Sequence, residues 1–343
     1  MDIGSMVFRV RLCAAVLAAM LATAALLTAS AAKEKVRLAT GSRAGNIVYL
    51  QIDLARALGY FDEEGLDVNI SYFDAGTGAA QSLASRENDF SANSIDHAIK
   101  LRAAGQDLYM VASFTDLPCV TLLVRKDLRP QIRSNRDLKG RRIGVTALGA
   151  GTHVLAASVL RNAGYSLRDV EVVAVGSGDS FIAAMTQKRI DVGVATDPTT
   201  TRLLLSGEAS VLLDMTTPEE THLIFNGAYQ FTGLMTRPDV IRDRPALVQS
   251  MVNAIVKTNA YIRGHSAAEL AARLPASIVG DRYIYVKSLE HSRPSFSKDG
   301  MLTLAAVENN LQSQIAFGLV PPNASPGAAS FFADRFVRAA LGR

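Results

Sequence analysis

Tryptophan is absent from this chain of 343 residues, and cysteine nearly so, with two, at Cys13 and Cys119. Without indole rings, an aromatic cage for a ligand would have to be built from tyrosine or phenylalanine. The 36 Lys+Arg against 32 Asp+Glu leave a formal charge of only +4, scattered along the chain. That lacks the clustered charge with which nucleic-acid-binding proteins neutralise phosphates, so no nucleic-acid partner is expected. The histidines, His97, His153, His222, His265 and His291, stand apart, and neither HExxH nor CxxC occurs, so no metal site is assigned. Equally absent are a GxSxG elbow, a Walker-type loop and a GxGxxG fingerprint. No catalytic residue and no cofactor are therefore assigned. What is present in quantity is apolar surface: 49% of residues are hydrophobic, which excludes disorder throughout, and the length is that of two domains.

Some of that hydrophobicity belongs to the first thirty-two residues. Residues 9–32 read RVRLCAAVLAAMLATAALLTASAA, two arginines followed by an apolar run and then small residues. This is the pattern of a secretory signal, with Ser30 and Ala32 at the −3 and −1 positions, and it implies export to the periplasm. The other reading is an uncleaved anchor, since about eighteen apolar residues just reach across a bilayer. Cys13 opens the apolar run, whereas a lipid-bearing cysteine would follow it. Cleavage after Ala32 leaves Cys119 alone and no internal disulfide. Its setting, LPCVTLLV, is apolar and strand-like, which suits a small buried hydrophobe better than a reactive thiol.

From Val36 the chain alternates short apolar runs with segments of helical period, the mark of an α/β architecture with mostly parallel sheets. Strands are expected at 36–40, 66–73, 89–93 and 107–115. A helix from Asn46 carries Ile47, Leu50, Leu54 and Leu58 at spacings of three and four. After VTLLVR at 120–125 and a polar stretch, the alternation restarts with RIGVT, VEVVAV, DVGVAT and SVLLD, enough for a second small lobe. YQFTGLMT at 229–236 then precedes a helical tail. The economical arrangement is two α/β lobes joined by two crossing strands: lobe 1 from 33–122 and 232–343, lobe 2 from 123–231, after the leader at 1–32. Two crossings make a hinge, and the cleft between the lobes is the natural ligand site.

In such sheets ligands meet the loops at the carboxyl ends of the strands. Those loops are rich in Ser, Thr, Asn and Gly: Thr40, Ser42, Arg43 and Asn46 after the first strand, DAGTG after the second, Thr115 and Asp116 after the fourth, then TALGAGTH, GSGDS and TDPT. Small residues at helix N-termini leave backbone N–H groups free for an anion, favoured there by the helix dipole; ordinary capping uses the same residues. Arg43 could fork onto a carboxylate or sulfonate, or stand solvated. His153 could donate to an anion or cap its helix. Asp96 at a helix start reads as structural, whereas Asp116 and Asp197 could receive an amine or cap the next segment.

ARALGYFDEEGLDVNI at 55–70, followed by SLASRENDFS, AIKLRAAGQDLYMVAS, DLKGRRIGVTALGAGTHVLAASVLRNAGY and RIDVGVATDP, closely resembles the substrate-binding proteins of ABC importers in the nitrate, sulfonate, taurine and bicarbonate group (SsuA/TauA, NMT1/THI5-like). The resemblance covers about residues 36–235, with Asn88 where a glycine-acid pair is usual. It implies a type II periplasmic-binding-protein fold. The implied function is a monomeric receptor that captures a small organic anion (sulfonate-, nitrate- or carboxylate-like) and delivers it to an inner-membrane ABC permease. It also implies the contact positions: Ser42, Arg43, Asn46, Gly76, Thr77, Gly78, Asn93, Ser94, Thr115, Asp116, Gly149, Gly151, Thr152, His153 and Asp197. Two alternatives share this text: an exported enzyme on the same fold, THI5-like or desulfinase-like, and a TAXI-type receptor of a TRAP transporter.

Overall fold

The computed structural model describes residues 32–322 and 327–343. The leader read at 1–32, with Cys13, thus lies outside the described residues except for Ala32. Among the described residues no helix is long and apolar enough to cross a membrane.

Among the described residues ten strands form two sheets. They are β1 (Glu34–Thr40), β2 (Leu66–Tyr72), β3 (Phe90–Ser94), β4 (Tyr109–Ser113), β5 (Thr121–Arg125), β6 (Arg142–Val145), β7 (Glu171–Ala174), β8 (Val192–Ala195), β9 (Ala209–Asp214) and β10 (Thr232–Thr236). The first sheet runs β2-β1-β3-β10-β4 and the second β7-β6-β8-β5-β9. This is the two-lobed α/β plan expected from the sequence, with one difference: both sheets are mixed. β1 pairs with β3, and β6 with β7 and β8, in parallel, whereas β10 and β5 run antiparallel to both of their neighbours. The reason is directional. The other strands of a lobe end at the cleft, but a strand arriving from the opposite lobe starts there. The crossings are the segments just before β5 and β10, and the expected boundary at 122 falls inside β5.

The helices are α1 (Leu50–Ala57), α2 (Tyr60–Glu63), α3 (Gly76–Ala84), α4 (Asp96–Ala103), α5 (Gly151–Asn162), α6 (Asp179–Thr186), α7 (Thr199–Leu205), α8 (Pro218–Phe225), α9 (Pro238–Asp243), α10 (Pro245–Gly264), α11 (Ala267–Arg273), α12 (Ala276–Val279), α13 (Arg282–Ser292), α14 (Leu304–Ala316) and α15 (Arg335–Ala340). The expected helical tail opens with two helices, α9 and α10, because Pro245 cannot donate a backbone hydrogen bond and Arg244 leaves helical geometry at φ −133°, ψ 51°.

Period-two alternation sorts the strand side chains between faces. Leu122 and Val124 pack with Ile143, Val192, Leu155 and Val159 under α5, while Leu123 faces Phe181, Met185 and Leu203 on the other side. In the first sheet Leu38, Phe90 and Val111 pack on α10 through Met251 and Ile255, and Met110 and Met235 pack on α4 and α14. Each such side chain, withdrawn from water, contributes about 1.5–3 kcal/mol. The tail thus covers the first sheet, as expected, and α13 also reaches the second lobe through His291.

Candidate functional site: a cleft between the sheets

Helices α3 and α5 begin at the carboxyl ends of β2 and β6 and face one another across the cleft. Neither has a side-chain cap: their N-cap residues are Ala75 and Ala150. Side-chain caps occur on four other helices, Thr217 on α8, Ser266 on α11, Asp281 on α13 and Thr303 on α14, and are lacking on the rest. At the cleft the first-turn N–H groups are therefore left to an incoming acceptor. Glycine opens both helices because there is no room for more. A Cβ on Gly76 would stand 2.5 Å from Asn93 Oδ1 and 2.7 Å from His97 Nε2, and one on Gly151 would stand 2.6 Å from the Phe231 ring and 2.9 Å from Ser94 Oγ.

Between these helix ends lies a central cavity of about 40 Å³. Of the expected residues it is lined by Ser42, Asn46, Gly76, Ser94, Gly151 and Thr152. A second, larger chamber of about 510 Å³ continues sideways, sharing Ser42, Asn46 and Asp74 with the first and holding Arg43. Polar bonds tie the lining together. Asn46 Nδ2 donates to Ser42 Oγ at 2.8 Å and, across the cleft, to Thr196 Oγ1 at 3.1 Å. Thr152 Oγ1 accepts the Thr146 N–H at 3.0 Å.

A buried charge cluster stands behind the cleft wall. Asp96, 1% exposed, pairs with Lys100 Nζ at 3.1 Å, and Lys100 also donates to the Gly149 carbonyl of the opposite lobe. Burial pushes the Asp96 carboxyl up, but Lys100 and His97 together hold it below the usual carboxylate range. Burial pulls His97 down to about 4, so its imidazole is neutral.

The remaining expected residues have other neighbours. Arg43 forks onto a protein carboxylate, Asp74, at 2.8 Å. Thr77 lies beside Gly149 across the cleft, and Gly78 packs under the Phe73 ring. Asn93 Nδ2 donates to the Gly76 carbonyl at 2.8 Å. His153 Nδ1 accepts the Gly149 N–H at 3.0 Å, a cap on the preceding loop. Thr115 bonds Thr232 side chain to side chain at 2.9 Å, and the Asp116 N–H donates to the Ser295 carbonyl at 2.8 Å. Asp197 Oδ1 caps α7 through the Thr201 N–H at 3.0 Å, while Oδ2 takes His291 at 2.6 Å and Ser292 at 3.0 Å. None of Asn93, Thr115, Asp116, His153 and Asp197 lines either cavity.

Eight residues lining the central cavity were missed: Gly41, Val48, Tyr49, Asp74, Thr146, Ala150, Thr196 and Phe231. Tyr49 lies three residues beyond Asn46, one helical turn on, so periodicity alone could have placed it on the same face. Asp74 and Thr196 stand inside loops already singled out. Phe231 comes from the second crossing and carried no signal.

Two α/β lobes crossed twice, with a polar cleft at the carboxyl ends of both sheets, constitute a type II periplasmic-binding-protein fold. The chain belongs to the family described as NMT1/THI5 like, whose model matches residues 46–268. A solved structure from Bordetella bronchiseptica RB50 shares 30% sequence identity at a TM-score of 0.83, over 90% of this chain and 98% of that one. The alkanesulfonate-binding protein SsuA from Xanthomonas axonopodis pv. citri, bound to MOPS, is similar in fold at 20% identity and a TM-score of 0.72, over 88% of this chain and 100% of the other. The desulfurization enzyme DSZB is also similar in fold, at 17% identity and a TM-score of 0.61, over 91% of this chain and 99% of its own. No curated protein sequence matches the chain.

Proposed function

We propose that the protein is the periplasmic solute-binding component of an ABC importer, exported by its N-terminal leader, which closes as a monomer on a small organic anion and delivers it to a membrane permease. The observation that carries this reading is the pair of uncapped helix N-termini, α3 and α5, aimed into one cleft from opposite lobes. Their dipoles and free N–H groups favour negative charge, and the cleft lining adds hydroxyl and amide donors from Ser42, Asn46, Ser94 and Thr152. The sulfonate-binding relative supports the same class of solute. The fold shared with DSZB does not favour a catalyst here. Cys119 is buried, and burial pushes its thiol up to about 12. The Ser42 hydroxyl is hydrogen-bonded to the Asn46 amide, which is not a base.

Thermal-shift and calorimetric screening of the protein starting at Lys33, against sulfonates, carboxylates, nitrate and pyrimidines, tests the proposal. A true ligand at one hundred times its dissociation constant adds about 2.7 kcal/mol. Gly151→Ala, whose methyl would strike Phe231 and Ser94, should weaken that ligand about tenfold or more, corresponding to roughly 1.4 kcal/mol of overpacking. Turnover of a substrate with no stabilising ligand in the panel would defeat the reading.

A further inference from the structure

The two connected cavities differ in size by an order of magnitude, about 40 Å³ against about 510 Å³. A compact anionic head between α3 and α5 fills the first and leaves the second empty of solute. The side chamber has Ala44, Pro198 and Ile278 as its apolar side chains, and none of its lining residues is aromatic. It is built of ion pairs. Arg43 meets Asp74 at 2.8 Å, and Arg202 meets Asp179 at 2.7 Å. These pairs are solvent-exposed, with side-chain exposures of 76% and 75% for the first and 41% and 87% for the second. Exposed pairs of this kind hold weakly and exchange partners readily.

We propose that the solute is a two-headed organic anion, a dicarboxylate or its sulfonate counterpart, with one acid group in the central cavity and the other in the side chamber against Arg43 and Arg202. This rests on the binding-protein reading above and adds the class of solute to it. Each guanidinium keeps N–H groups beyond those its aspartate takes: Arg43 spends Nε and Nη2 on a single oxygen, Asp74 Oδ1. Both arginines can therefore receive a ligand carboxylate in the forked geometry while Asp74 and Asp179 hold them in place. The N-terminus of α6 faces the same chamber, again without a side-chain cap, behind Gly178. The two guanidiniums and two carboxylates leave the chamber formally neutral, with Asp179 itself in the first turn of α6, so the N–H groups that the arginines keep beyond their aspartates are what favour a second negative group. Ser42, Asn46 and Asp74, common to both cavities, mark where the linker between the two acids passes.

The test is calorimetry on the protein starting at Lys33 with matched acids of equal carbon count: butanoate and succinate, pentanoate and glutarate, hexanoate and adipate, and propanesulfonate and 3-sulfopropanoate. At least one two-headed acid should bind ten times more tightly than its one-headed partner. Arg202→Gln should cost the two-headed acid at least fivefold more affinity than the one-headed acid, with the melting temperature checked to show that the variant folds. Equal affinities within every pair, equal losses in Arg202→Gln, or tighter binding of an ω-amino acid than of the diacid would each overturn the proposal while leaving an anion receptor intact. Failure of every one-headed and two-headed acid to bind would remove the anion-receptor reading itself, and this one with it.

Discussion

Lys100 is where charge, burial and lobe closure meet. Its ammonium lies 3.1 Å from the carboxylate of Asp96, which is 1% exposed, and it donates to the Gly149 carbonyl across the cleft. In Lys100→Met the carboxylate loses its counter-ion but stays buried. Removing one partner of a buried pair costs about 3–5 kcal/mol; because the lysine side chain retains 20% of its exposure, the lower end, about 3 kcal/mol, applies. For a chain of this size that corresponds to a fall of roughly 6–12 °C in melting temperature at neutral pH.

The pH dependence sharpens the test. In the native protein burial raises the Asp96 pKa, but Lys100 and His97 outweigh it and leave it lowered. The group therefore contributes stability that is present above the unfolded carboxylate value and lost as pH falls through the folded one. Without Lys100 burial prevails, the folded value rises above the unfolded one, and the cost is full at neutral pH but relieved as the carboxyl takes a proton. The gap between variant and native melting temperatures should thus narrow from about pH 7.5 to about pH 5. His97, neutral with a pKa near 4, lowers stability on acidification in both proteins, so the gap is the quantity to read. Asp96→Asn added to Lys100→Met should restore much of the loss at neutral pH. A gap that stays constant with pH, or a variant that melts within about 2 °C of the native protein, would refute the reasoning.

Two further expectations concern groups outside the cleft. Burial pulls His291 down, yet its hydrogen bonds to Asp197 and Asp214 prevail and raise it to about 10. Its stabilisation is then complete below the unfolded value of about 6.5 and lost as pH rises through the folded one, so the melting temperature should fall toward pH 10. His291→Gln should flatten that fall; identical slopes in the two proteins would count against the bridge. Cys119, whose thiol burial pushes up to about 12, should resist iodoacetamide in the native state and react fully in denaturant. Alkylation of the folded protein within minutes would contradict the buried placement.

Much of the fold was legible in one dimension because it rests on local pattern. Short apolar runs marked nearly every strand, from VRLAT to YQFTGLMT, and period 3.6 marked α1. Among the elements that escaped, α8, α13 and α15 have mixed or weak apolar stripes, and their burial depends on partners distant in sequence. The antiparallel insertion of β5 and β10 was not legible either, since direction within a sheet follows from which lobe a strand enters from.

The site divides in the same way. That small and hydroxyl residues gather at strand ends followed from the sequence alone, because loop position is fixed by the order of elements. Six of the fifteen residues named in advance, Ser42, Asn46, Gly76, Ser94, Gly151 and Thr152, line the central cavity, and Arg43 lines the chamber beside it. Which of these loops would turn inward was decided only by the tertiary structure. Thr115 and Asp197 sit at strand ends too, but Thr232 and His291, far away in sequence, engage their side chains. Whether Thr or Gly at a helix start serves as a cap or leaves the N–H groups open likewise depends on the φ, ψ and neighbours of the residue before it. The sequence by itself determined the lobes, the family and the polar character of the cleft. Only packing between distant segments decided its size, its two compartments and the pairing of its charges, because those depend on distances between residues that the chain does not place next to one another.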